Sequence, residues 1–180
     1  MNRSHSLYRC FNEGLVLRRS KPAKCGPVVL HDTANHGSAL LSGLAELGYR
    51  VRKGLPLQCR WQGDDDPHWL SEILETQAYA LGHHLLPAID DFNDALPDEF
   101  AEDQVAVFYK RVMEWIERAQ AAHDALSEHG VAPTNAAWFD DDSALYEIAH
   151  DFIRLFADAQ DVVSQPRAQL FKIRSTEVSS

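Results

Sequence analysis

The residues best suited to chemistry in this chain fall in eight consecutive positions, His31-Asp32-Thr33-Ala34-Asn35-His36-Gly37-Ser38. His31, Asp32 and His36 put two imidazoles, which titrate near neutral pH, beside a carboxylate, a set that could move protons or bind a metal. The apolar run Pro27-Val28-Val29-Leu30 precedes them and leucines at helical spacing follow, so the stretch is expected to be a loop between a strand and a helix. Ligands of open α/β layers bind in such crevices, and a helix opening at Gly37 and Ser38 would offer free amides to an anion. Asp32, Asn35 and Ser38 are equally the residues that cap helices and close turns, which is the plainer account of the same string.

On a later helical stretch Arg118 and His123 form an R-x-x-x-x-H string. It resembles the short motif of HEPN-type ribonucleases, which are helical bundles. The resemblance implies RNA cleavage at a dimer interface, with the histidine and arginine handling the proton and the phosphate. Two residues carry it, and Ala119 stands where that motif has a polar residue. Glu114, Glu117 and Asp124 surround it with charge that repels a phosphate backbone. Glu147-Ile148-Ala149-His150 has the E-x-x-H spacing that di-iron four-helix proteins carry on two helices. One copy leaves a coordination sphere incomplete, and Glu75 and His84 lie too many turns apart to complete it with Glu72 and His83. No metal site and no cofactor is therefore expected. G-x-S-x-G, phosphate-loop and G-x-G-x-x-G strings are absent, and neither Asp64-Asp65-Asp66 nor Asp140-Asp141-Asp142 continues into an EF-hand loop.

The net charge of -10 conceals a division. Up to Arg60 ten Lys or Arg face three acids, whereas from Trp61 to Gln165 four bases face twenty-three acids. An acidic body repels nucleic acid, so direct binding of DNA or RNA would have to run through the basic N-terminal part. Alternatively, that part folds back on the acidic helices and cancels some of their self-repulsion. Cys10, Cys25 and Cys59 are widely spaced with no C-x-x-C pair, and read as free thiols. No run resembles a signal peptide or a membrane span, so a cytoplasmic protein with no membrane partner is expected.

The elements that would position these residues are of two kinds. Leu15-Val16-Leu17, Pro27 to Leu30, Gly48 to Arg52 and Leu57 to Trp61 are short apolar or alternating runs that read as strands, with a helix from Ala39 to Leu47 between them. Three acidic helix starts follow. Asp64-Asp65-Asp66-Pro67 opens a helix with Trp69, Leu70, Ile73, Leu74, Leu81 and Leu85 on one face, ended or kinked at Pro87. Pro97-Asp98-Glu99 opens a second, whose seam is Val105, Phe108, Val112, Trp115, Ala119, Ala122 and Leu126. Asp140 to Ser143 opens a third, with Leu145, Ile148, Phe152, Leu155, Ala159 and Val162. The expected fold is thus α+β and predominantly helical, a small mixed α/β layer (1-62) packed on a three-helix antiparallel bundle (63-165). A tail (166-180) follows, in which Leu170 to Ile173 returns as a strand. The three parts form one compact unit.

Charge carries the leading functional expectation: a non-catalytic acidic protein that binds and inhibits a basic, nucleic-acid-handling protein, in the manner of immunity, anti-restriction or anti-defence factors. Glu99, Glu102, Asp103, Glu114, Glu117, Asp140 and Asp141 are its expected contact residues. Two other classes stand beside it. A small enzyme would use the His31 to Ser38 loop on an anionic substrate, and requires those side chains to converge beside a cavity. A nucleic-acid-binding regulator would use the basic N-terminal part and bind less tightly as salt rises.

Overall fold

Leu7, Phe11, Gly14 and Leu15 share one face at helical spacing, and in the computed structural model they lie on the first helix, α1 (Leu7–Ser20). The structure describes residues 6–20, 27–55, 68–94, 102–129, 139–140 and 143–164. Helix α2 (Pro27–Lys53) buries Leu30, Thr33, Leu40, Leu44 and Leu47 along one side. It ends in a Schellman closure, with Gly54 at φ 62°, its amide on the Val51 carbonyl and the Leu55 amide on the Arg50 carbonyl. Helix α3 (His68–Ala80) runs through a π-helical turn (Leu81–Leu85) into α4 (Leu86–Asn93). Helices α5 (Glu102–His129) and α6 (Ala144–Ser164) complete the fold.

All described elements are helices, and no strand occurs among the described residues. This corrects the expected α+β layer. Leu15-Val16-Leu17 lies inside α1, Pro27 to Leu30 is the first turn of α2, and Gly48 to Arg52 belongs to its last turns. A run of three to five residues is too short to display a 3.6-residue period, so each passes for a strand in isolation. The seam of α2 also carries Thr33 and Gly37, both buried, which interrupt the hydrophobic pattern without interrupting the helix. The strands expected at Leu57 to Trp61 and Leu170 to Ile173 lie outside the described residues.

The three acidic helices stand where their seams place them. Of the second, Phe108, Val112, Trp115, Ala119, Ala122 and Leu126 are buried; of the third, Leu145, Ile148, Phe152, Leu155 and Ala159. Pro87 neither ends nor interrupts the first. Proline lacks an amide proton and collides with the carbonyl four residues back. The turn just before it widens instead, the Leu86 amide reaching back five residues to the Leu81 carbonyl.

The basic N-terminal helices are threaded through the acidic ones. Helix α2 lies along α6 and α1 crosses α3 and the π turn, while α5 packs on both α3 and α6. Two glycines make the α1 crossing possible. A Cβ on Gly14 would stand 2.6 Å from the Tyr79 carbonyl oxygen, and one on Gly82 would collide with the Phe11 carbonyl. The two backbones therefore touch without intervening side chains, and His83 Nδ1 sits 3.4 Å from the Gly14 oxygen at the same place.

At the centre, Trp115 of α5 is fully buried, and its indole N–H donates to the Ile148 carbonyl of α6 at 2.8 Å. Its ring meets Phe152, which meets Phe156 in turn.

Candidate functional site

The seven-residue spacing of Arg111 and Arg118 on α5 is repeated by Asp151 and Asp158 on α6. Seven residues are close to two helical turns, so each pair stays on one side of its helix. The antiparallel helices bring them together as two rungs: Arg111 donates to Asp158 at 2.8 Å and Arg118 to Asp151 at 2.5 Å. Lys110 pairs with Glu114, and Arg154 with Asp151. All four bases between Trp61 and Gln165 are thus engaged with acids of their own body.

The surplus acids face outward. Along α6, Glu147 and Asp161 flank the two rung carboxylates Asp151 and Asp158, and stand about 21 Å apart at 1.5 Å per residue. On α5, Glu114, Glu117 and Asp124 are exposed. Among the described residues, Glu117, Glu147 and Asp161 show no ion pair. Asp140 is exposed and lies 3.8 Å from Arg52, so the basic end of α2 meets the acidic segment before α6. Glu99 and Asp141 lie outside the described residues, as do the side chains of Glu102 and Asp103 in the first turn of α5.

Below the two rungs, between the helices, lies a groove of about 370 Å³. Its floor is Ala121, Ala122, Ala125, Ala144 and Ile148, with Arg118 and Glu147 at the edge. One further step of seven from Arg118 falls on Ala125, and one back from Asp151 falls on Ala144. The groove is the place where a third rung would stand if its side chains were present.

The expected catalytic residues occupy other surroundings. His31 and Asp32 are exposed side chains on α2, which is helical throughout the stretch expected to be a loop, and the groove has neither on its wall. His36 lies on the same helix, with its side chain outside the described residues. Arg118 and His123 are turned about 140° apart around α5, since five residues at 3.6 per turn exceed one turn by that angle. Arg118 faces α6 and His123 faces α3.

His123 is 1% exposed, and its Nε2 lies 3.0 Å from Glu75 Oε1. A Glu75 carboxylate oxygen accepts at this distance from an Nε2–H, which the Nε2-protonated neutral ring and the imidazolium both carry. Its Nδ1 lies 3.5 Å from Asp124 Oδ1 without forming a hydrogen bond. Asp124 instead accepts from Gln120, whose own carbonyl oxygen takes the first amide of α1, Leu7 N, at 2.6 Å. This network ties α1 and α3 to α5; the sequence singles out His123 for the R-x-x-x-x-H string and Glu75 as a metal ligand, and does not join the two. Glu75 on α3 and Gln120 and Asp124 on α5 fall on two stretches with no motif to unite them.

Cys10 on α1 is the cysteine among the described residues, and its environment opposes nucleophilic use. Burial, then the charges of Glu75 and Glu13, push its pKa up to about 11. An activated cysteine requires the opposite shift. Alkylation of Cys10 with iodoacetamide, in a variant carrying Cys25→Ser and Cys59→Ser, should therefore accelerate with a midpoint near 11 and not near the ordinary thiol value of 9.0. Because the folded form holds the proton more tightly, this group's contribution to stability is whole below about pH 8.5 and is lost as pH climbs toward 11. An alkylation midpoint at 9 or below would show the thiol to be solvated.

Among the described residues, no group of three or more His, Cys, Asp or Glu side chains is placed to hold a metal ion. Glu147 and His150, the E-x-x-H pair, are both exposed on α6. No described helix is long and apolar enough to cross a membrane. No family model, curated protein or solved structure matches the chain.

Proposed function

We propose that this chain is a non-catalytic binding protein whose α5–α6 face engages and inhibits a basic, nucleic-acid-handling protein. The observation that supports this is the surplus of outward acids: the body's own bases are paired internally, and Glu117, Glu147 and Asp161 are left to meet charge from elsewhere. Charge complementarity of this kind raises association rates and selects partners by sign. The helices hold these three carboxylates at fixed positions on the exposed surface. The compartment that goes with this reading is a reducing cytoplasm, where Cys10 stands as a free thiol.

The test is capture from a cell lysate by the wild-type protein and by Glu117→Lys/Glu147→Lys/Asp161→Lys. A basic protein retained by the wild type, displaced by heparin as a soluble polyanion and lost from the triple variant is the expected result. These side chains are exposed and without a described ion pair, so the variant should fold. Equal retention by both forms would sink the proposal.

A further inference from the structure

Deepening that reading and resting on it, we infer that the α5–α6 groove is the seat of an apolar anchor carried by a basic amphipathic segment of the partner. Three observations converge here. The Arg–Asp ladder stops one rung short, with Ala125 and Ala144 where the next pair would stand, and this leaves about 370 Å³ between two helices otherwise packed together. The floor is apolar, built from alanine side chains and Ile148, so it offers a host for a side chain such as leucine or methionine and few hydrogen bonds to a polar one.

Two charged side chains border the groove, Glu147 on α6 and Arg118 on α5, and the exposed Glu117 stands one turn before Ala121. Arg118, the base at the edge, is held by Asp151. With Arg118 neutralised, the charge left beside the apolar lining is that of Glu147 and Glu117, the complement of a helix or extended segment that carries an apolar residue flanked by Lys or Arg. These acids supply rate and sign selection, and the floor supplies a contact that a polyanion-binding surface alone would not require.

The experiment uses two synthetic peptides of equal positive charge, an amphipathic Leu/Lys helix and a Gln/Lys counterpart. Binding to the full chain is followed by calorimetry, and the site by NMR of alanine methyl groups. The filled variant Ala125→Leu/Ala144→Leu places side chains in the groove from positions that are not fully buried, and circular dichroism checks its fold. The Leu/Lys peptide should bind the wild type about tenfold or more tightly than the Gln/Lys peptide, the worth of one buried apolar side chain. Shifts should centre on Ala121, Ala125 and Ala144, and the advantage should vanish in the filled variant.

Equal binding of the two peptides to the wild type would overturn the anchor while leaving an acidic face that works by charge alone. An advantage that survives in the filled variant would overturn it too, by placing the apolar contact elsewhere. Binding of neither peptide at low salt would sink both this inference and the proposed function. A wild type that sediments as a dimer and a filled variant that sediments as a monomer would overturn the anchor in favour of a second copy of the chain.

Discussion

Gly82→Ala should destabilise the protein by about 1–3 kcal/mol, although the same change in an unobstructed helix stabilises it by roughly 1 kcal/mol. The sign reverses because the new methyl group would meet the Phe11 carbonyl, a backbone atom that cannot rotate away. Helix α1 must then lift as a body. With it would go the bond from Leu7 N to Gln120 and the burial of Leu7 and Phe11 against the core. Urea denaturation measures the loss. Hydrogen exchange locates it, since the amides of α1 should lose protection before those of α5 and α6. Gly14→Ala should act on the same crossing, so the double variant should cost less than the two single changes together. A Gly82→Ala protein as stable as the wild type would show that the helices do not approach so closely.

That crossing also explains what the sequence conceals. Helices α5 and α6 are legible because their seams are long, apolar and periodic, from Phe108 to Leu126 and from Leu145 to Ala159. Helix α2 is legible only over Ala39 to Leu47, where leucines mark it, and α1 is not, because the remaining contacts use glycine and threonine where a reader looks for leucine. Gly14, Thr33 and Gly37 are buried for close approach, and nothing in their residue types announces it. Gly48 looks like a helix stop and is instead a contact with Phe139, while the actual stop is Gly54.

The site follows the same division. The excess of acid is countable in the sequence, and Glu114 and Glu117 are exposed on α5. The ladder is harder to see, because it depends on two seven-residue spacings in helices that run in opposite directions. Arg118 acquires its meaning from Asp151, and not from His123 five residues away.

Trp115→Ala should be the most damaging single truncation in the α5–α6 pair, at about 3–5 kcal/mol. A typical domain has only about 5–15 kcal/mol in total, so a large share of the stability rests on this ring. Trp115→Phe should cost much less. It keeps most of the volume against Phe152 and forfeits one hydrogen bond, worth roughly 1 kcal/mol. The Ile148 carbonyl left behind still accepts its own helical bond from four residues on, so no buried acceptor is orphaned.

The contrast with the surface rungs decides what holds the functional face in register. Arg111 and Arg118 are partly exposed, and each pair contributes about 0–1 kcal/mol, less at high salt. The ladder therefore records the alignment of α5 and α6 more than it enforces it. The Trp115 contact with Ile148 enforces it, and Ile148 is also part of the groove floor. Urea midpoints for Trp115→Ala, Trp115→Phe and Arg111→Ala/Arg118→Ala, each at low and high salt, separate the two. A double arginine variant that loses as much stability as Trp115→Ala would reverse the assignment, and the acidic face would then owe its geometry to its own charges.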